Sequence, residues 1–308
     1  MNPLTLHISP SLACNNGCVF CLDRGRRAFP GRSRFAGLYS RALAKYGKDC
    51  AQAVFTGFDP TMSPDLPELA RQARAAGVRR LWLQTNGWRL ADGKYLASLV
   101  KAGVTGFSLS IHGSCAAVHD ACTRRPGSFA RAAAALRSLL KLKKLLPWLE
   151  VKTTSVICAL NLADFRALAR RLTALPGLSH SGFNPVVFAG DGLRNSAKLF
   201  VRFSDIASGW RAFLAGAPPG LRARAGFTGL PACVLPEADY NSGRYEDIVC
   251  VNPAGSKFVR RSGGYGRKRA ACRRCRYFAG CPGIHEVYLR RYGWGEFVPV
   301  KAAPGEAA

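Results

Sequence analysis

The sequence predicts an α/β fold: a partial (β/α)6, TIM-like barrel followed by a small cysteine-rich C-terminal region. Three observations lead there. Short apolar runs of strand length alternate with longer segments whose apolar residues recur every three and four positions. The first four strand-like runs are each followed by a polar, glycine-marked segment. After about Trp210 the alternation gives way to irregular, basic, cysteine-bearing sequence.

Taken in order, the strand-like runs are LTLHI (Leu4 to Ile8), AVFT (Ala53 to Thr56), LWLQ (Leu81 to Gln84), GFSLSI (Gly106 to Ile111), VKTTSVI (Val151 to Ile157) and FNPVVF (Phe183 to Phe188). Between them lie helical stretches such as LPELARQARAAG, FARAAAALRSLLKLKKLL and LADFRALARRLTAL. Strands alternating with helices imply a parallel sheet with helices outside it. In barrels of this kind the chemistry sits at the C-terminal ends of the strands. Those ends carry CNNGCVFC after the first strand, TGFDPT after the second, TNGWRL after the third and SIHG after the fourth, so all four fall on one rim. The stretch LAGAPPGLRARAG is a connector rich in Gly and Pro. These changes set the expected boundaries at 1–215 for the barrel, 216–300 for the C-terminal region and 301–308 for a frayed tail.

Composition narrows the classes. The chain has 308 residues, 48% of them hydrophobic, enough for a full core. No apolar signal-like region follows Met1 and no apolar run approaches about 18 residues, so a cytoplasmic protein without a membrane span is expected. A reducing compartment also suits 12 cysteines that ligate metal or stay free. The net charge is +27, from 45 Lys and Arg against 18 Asp and Glu. Such a field attracts nucleic acid, acidic peptides or phosphorylated small molecules, although arginines on solvated helix faces give the same count.

Cys14, Cys18 and Cys21 fall within eight residues, at x3 then x2 spacing, on a loop loosened by Asn15, Asn16 and Gly17. Neither a CxxC zinc ribbon nor a scattered disulfide framework has this form. Three thiolates so placed can converge on three irons of a [4Fe–4S] cube and leave the fourth iron open for a substrate or cofactor. A three-cysteine zinc site completed by a distant residue is the alternative.

With TGFDPT, LQTNG and SLSIHG following in order, the chain resembles the radical S-adenosylmethionine superfamily over about its first two thirds. HDACTRRPGSF resembles the branch that carries a C-terminal SPASM or twitch extension. The resemblance implies that Cys14, Cys18 and Cys21 are the catalytic cysteines, holding a [4Fe–4S] cluster whose open iron chelates S-adenosylmethionine. One electron then cleaves that cofactor, and the 5′-deoxyadenosyl radical abstracts a substrate hydrogen. It further implies that Phe20 lies by the adenine and that Gly57 and Asp59 meet the methionine ammonium. Thr85 and Ser110 are placed to bond carboxylate or ribose, and Asn161 to approach ribose. The chain departs from the family pattern at Phe58, where a second glycine is usual, and at Asp59, where glutamate is usual. His112 is a candidate polar contact in the barrel mouth, and one of Cys115 and Cys122 a candidate hydrogen-atom donor. Cys50 and Cys158 read as buried small hydrophobes.

Downstream lie Cys233, Cys250, Cys272, Cys275 and Cys281. They resemble the cysteines of a twitch or shortened SPASM domain, which bind an auxiliary iron–sulfur cluster. A full pattern would place another cysteine where His285 stands, so the expectation is one auxiliary [4Fe–4S] cluster held by four of the five. A Cys3His zinc site using His285 is the rival.

The leading functional reading is a radical enzyme acting on a peptide or a small biosynthetic molecule, supplied with electrons by an external donor of flavodoxin or ferredoxin type. No peptide-recognition domain is expected before the barrel, because Cys14 lies so near Met1. The alternatives are a tRNA- or RNA-modifying enzyme using DRGRRAFPGRSR and VRRSGGYGRKRAACRRCR, and a non-catalytic zinc- or RNA-binding protein.

Overall fold

The computed structural model describes residues 3–23, 32–236, 247–253, 255–260 and 266–301. The basic run at 24–31 and the tail at 302–308 lie outside the described residues. Among the described residues nine strands form one sheet: β1 (Leu4–Ile8), β2 (Gln52–Phe55), β3 (Leu81–Thr85), β4 (Gly106–Ser110), β5 (Glu150–Ile157), β6 (His180–Pro185), β7 (Ala225–Phe227), β8 (Asp247–Asn252) and β9 (Gly255–Arg260). Their order is β7-β6-β5-β4-β3-β2-β1-β8-β9, with every pair parallel except the β8–β9 hairpin. The sheet is therefore an open barrel. Its first six strands are those expected from the sequence, and it gains two parallel strands from beyond residue 215.

Helices between the strands cover the outer face: α1 (Arg32–Tyr46), α2 (Leu66–Ala75), α3 (Gly93–Lys101), α4 (Ala116–Thr123), α5 (Ser128–Leu145) and α6 (Phe165–Thr173). In α2 the buried residues are Leu66, Leu69, Ala70 and Ala73, the spacing of one helical stripe. They share one buried core with strand residues such as Phe55, Leu83 and Phe107, all fully buried. Alternation turns the other face of each strand inward, and that face is more polar. Thr56 donates to Gln84 at 3.0 Å, and Ser108 pairs with Thr154 at 3.2 Å. Strand β6 begins three residues earlier than the apolar run suggests, because the buried positions Ser181, Phe183 and Pro185 alternate from His180 onward.

Strand β8 runs beside β1, pairing Leu6 with Val249 and His7 with Cys250, and ties the C-terminal third to the barrel. A second tie is aromatic. Tyr288, on the helix Glu286–Tyr292, stacks on Phe203 at 4.0 Å; its hydroxyl accepts from the Phe203 N–H at 2.7 Å and donates to Glu296. Among the described residues no helix is long and apolar enough to cross a membrane.

Candidate functional site

The cysteine loop leaves β1 and is held in place by its neighbours. The last carbonyls of a helix lack intrahelical partners. At α4 they find them in this loop: Gly17 N–H donates to Thr123 O at 2.8 Å and Val19 N–H to Cys122 O at 2.9 Å. Asn195 Nδ2 donates to Val19 O at 2.8 Å, and the Asp191 N–H to Cys21 O at 2.8 Å. The thiols of Cys14, Cys18 and Cys21 form no disulfide and are half-buried. Burial pushes the Cys14 thiol above its ordinary range, and the nearby Asp59 and Cys21 add to the rise. A bound metal would reverse that, since its positive charge favours thiolate. Two donors already point at Cys14 Sγ, the Asn16 N–H at 3.4 Å and Asn86 Nδ2 at 3.7 Å. A loop of three soft donors, one of them receiving N–H groups, fits the thiolate ligation of an iron–sulfur cluster.

The strand ends converge on this loop, but not all of their polar atoms are available. Gly57, after β2, has φ +94°, and a Cβ there would lie 2.6 Å from Ser9 Oγ, so only glycine fits. Asp59 is fully buried. Its carboxylate accepts from Thr61 N–H at 2.9 Å, Thr61 Oγ1 at 2.6 Å, Thr85 Oγ1 at 3.0 Å and the Asn86 N–H at 3.1 Å. Burial raises its pKa while these donors oppose the rise. Thr85 thus spends its hydroxyl on Asp59 and accepts from the Gly87 N–H at 3.2 Å. Asn161, also fully buried, donates to His112 O and Val156 O, both at 2.8 Å, and accepts from the Cys158 N–H at 2.8 Å. Asp59, Thr85 and Asn161 therefore brace the rim from within. Ser110 ends β4 with a hydroxyl that has no partner among the described residues.

His112 and Phe20 meet edge to face, with ring centroids 4.8 Å apart. His112 Nδ1 accepts from the Val156 N–H at 3.1 Å, and burial pulls its pKa down to about 3. The ring is neutral with its proton on Nε2, a donor left without a protein partner among the described residues. His119 Nδ1 accepts from the His112 N–H at 3.1 Å and its Nε2 pairs with Ser128 Oγ at 2.9 Å. Asn16 of the cysteine loop donates to the same Ser128 Oγ at 3.5 Å. Sequence reasoning picks out His112 but misses His119 and Asn86, whose roles depend on partners far away in the chain. The residues TNG after β3 are the one local signal for Asn86.

A second group of thiols forms far downstream of the first. Cys233, Cys272, Cys275 and Cys281 line a single cavity, together with Lys268 and Phe278. Burial first, then the neighbouring Cys281, Cys275 and Cys272, push the Cys233 thiol up to about 12. Cys250 stands apart in β8, in register with His7 on one side and Lys257 on the other. His285 caps the helix Glu286–Tyr292 by accepting the Val287 N–H at 3.2 Å, and its ring packs on Phe188. Among the described residues no three of His, Cys, Asp and Glu are drawn together around a single ion. Of the remaining thiols, Cys115 is exposed at the start of α4, while Cys122 is buried and hydrogen-bonded to Cys158 beneath the loop. That bond, with burial, holds Cys122 protonated.

The chain resembles known proteins in sequence and in fold. A GTP 3′,8-cyclase of Synechococcus elongatus is 33% identical over 172 residues, 54% of this chain and 51% of that protein. The chain spans about half the length of the curated relatives it matches. Streptococcus suis SuiB bound to S-adenosylmethionine superposes with a TM-score of 0.59 at 14% identity, over 81% of this chain and 58% of SuiB. Native anSMEcpe with bound AdoMet and a Cp18Cys peptide gives 0.55 at 15% identity, over 81% of this chain and 72% of that one. These two share the fold. The radical SAM superfamily, whose members are enzymes using a [4Fe–4S] cluster and S-adenosylmethionine, matches residues 8–172, more than half of the chain and all of the rim just described, so the chain belongs to that family.

Proposed function

We propose that this protein abstracts a hydrogen atom from a peptide or a small biosynthetic molecule. The observation that carries the reading is the loop of three cysteines outside any disulfide, Cys14, Cys18 and Cys21, fixed at the open rim of the barrel beside Gly57. When bound there, a [4Fe–4S] cluster and S-adenosylmethionine supply a reductively generated 5′-deoxyadenosyl radical. The three cysteines hold three corners of the cluster. Around it, the residues with capacity to spare are Ser110 and the Nε2–H of His112, both hydrogen-bond donors, with the Phe20 ring as an apolar wall for adenine. Gly57 supports the reading because its missing side chain lets backbone carbonyls approach a cationic amine. Asp59, Thr85 and Asn161 act one layer back, as braces, since any direct contact with a bound molecule would require their present hydrogen bonds to be exchanged.

Cys233, Cys272, Cys275 and Cys281 are the proposed ligands of an auxiliary [4Fe–4S] cluster, with Cys250 and His285 outside the set. Four thiols leave no iron of that cluster open, which suits electron transfer rather than substrate binding. The proposed electron source is an external flavodoxin- or ferredoxin-type protein. The names GTP 3′,8-cyclase and SuiB bound to precursor peptide SuiA belong to a nucleotide chemistry and a peptide chemistry. The net charge of +27 favours an anionic substrate of either kind.

Anaerobic reconstitution with iron and sulfide tests this. Reduced protein given S-adenosylmethionine should release 5′-deoxyadenosine, and replacing Cys14, Cys18 and Cys21 by Ala should abolish the release. Intact cluster absorbance without any 5′-deoxyadenosine would refute the enzyme reading.

A further inference from the structure

Asn86 occupies a position that its contacts define completely. Its backbone N–H donates to Asp59 Oδ2 at 3.1 Å, and its side-chain Oδ1 accepts from the Trp88 N–H at 2.9 Å. With the oxygen fixed, Nδ2 must face the cysteine loop. There one hydrogen goes to Asn15 Oδ1 at 2.6 Å and the other to Cys14 Sγ at 3.7 Å. The turn that permits this needs Gly87, which has φ +80° and would crowd Ala135 and Leu109 at 3.2 Å with any side chain. Asp59 anchors the arrangement from a fully buried site.

We infer that Asn86 is a positioning residue that sets the reduction potential of the first cluster, by donating a hydrogen bond to a ligand sulfur. The inference rests on the proposed reading of Cys14 as an iron ligand. Reduction adds a negative charge that is spread partly over the cysteine sulfurs, and an N–H aimed at one of them stabilises the reduced form more than the oxidised form. Bonds to charged acceptors are stronger than neutral ones, and the amide is held by two other contacts, to Asn15 and Trp88, so it does not have to be ordered for the purpose. The short Asp59 has a place in this scheme. Its carboxylate reaches Thr61, Thr85 and Asn86 at once and so grips the turn that carries the donor.

The test is an EPR-monitored redox titration of the reconstituted full-length protein without S-adenosylmethionine, comparing wild type with Asn86→Asp and Asn86→Leu. Asn86→Asp keeps the size of the side chain and the acceptor for the Trp88 N–H while removing both donors. Both variants should bind the wild-type amount of iron and reduce less readily. The expected change is about tenfold in the equilibrium constant, or about 59 mV to lower potential for a one-electron couple. Asn86→Gln, which retains an amide donor on a longer stem, should recover part of the shift. Variant clusters with the wild-type potential would overturn the inference. Loss of iron from both variants would also overturn it, making Asn86 a prop for the loop alone. Wild-type protein that assembles no cubane would instead overturn the reading on which the inference depends.

Discussion

Acid should unfold this protein through two buried histidines, and the cost can be worked from the structure. His112 is 4% exposed and His119 1% exposed. Burial lowers their pKa values from 6.5 to about 3 and about 4, with the neighbouring His119 adding to the lowering at His112. A histidine whose folded pKa is depressed stabilises the fold while both states are neutral. That stability is lost as pH falls below 6.5, because the unfolded chain takes up protons that the folded chain refuses, until the folded pKa is reached. The window is therefore pH 6.5 down to about 3 for His112 and about 4 for His119. Each group loses about 2 kcal/mol between pH 8 and pH 5, and the pair about 4 kcal/mol, because every pH unit below 6.5 costs about 1.4 kcal/mol per histidine. That is a large part of the roughly 5–15 kcal/mol by which domains are stable. Urea unfolding followed by circular dichroism at pH 8, 6 and 5 measures it. His119→Gln, whose amide can still accept from the His112 N–H and donate to Ser128, should lose about half as much as wild type over the same range. Equal losses in the two proteins would refute the reasoning.

Further expectations concern single residues. Cys233→Ser should lower bound iron by about four atoms per chain, whereas Cys250→Ser should leave it unchanged; quantitative iron and sulfide analysis decides. Gly57→Ala should destabilise by about 1–3 kcal/mol, from positive φ and the contact with Ser9, and adding Ser9→Gly should restore only the contact part in thermal melts. Asn161→Ala strands the carbonyls of His112 and Val156 and the Cys158 N–H, and should cost about 2–4 kcal/mol, seen as a drop of several degrees in Tm. Cys122→Ala should leave 5′-deoxyadenosine release intact, because that thiol is buried beneath the loop and not on the open rim.

How much of this is legible in the sequence depends on the distance over which each feature is encoded. The six long strands and the Cys14–Cys18–Cys21 loop are local patterns, and all of them appear in the fold. Strand β7 has three residues, too few for a period, and β8 follows EADYNSGRYE, an acidic, polar stretch without a helical apolar period, so neither reads as part of the sheet. The choice among the five C-terminal cysteines is long-range: Cys250 carries the same chemistry as Cys233 but is drawn into the ladder beside β1. Asp59, Thr85 and Asn161 are visible in the sequence as polar residues at or just past strand ends. What sequence cannot show is that their bonding capacity is consumed by one another and by nearby backbone, which pairing in three dimensions alone decides.

The grip of α4 on the cysteine loop has a consequence for the life of the protein. Gly17 and Val19 are pinned by helix carbonyls, and Val19 and Cys21 by Asn195 and Asp191, so polypeptide contacts hold the loop at four points. Small zinc domains, by contrast, collapse when stripped. A copy bleached by oxygen should therefore stay intact as a vessel that can be recharged, escaping the proteases that clear unravelled chains.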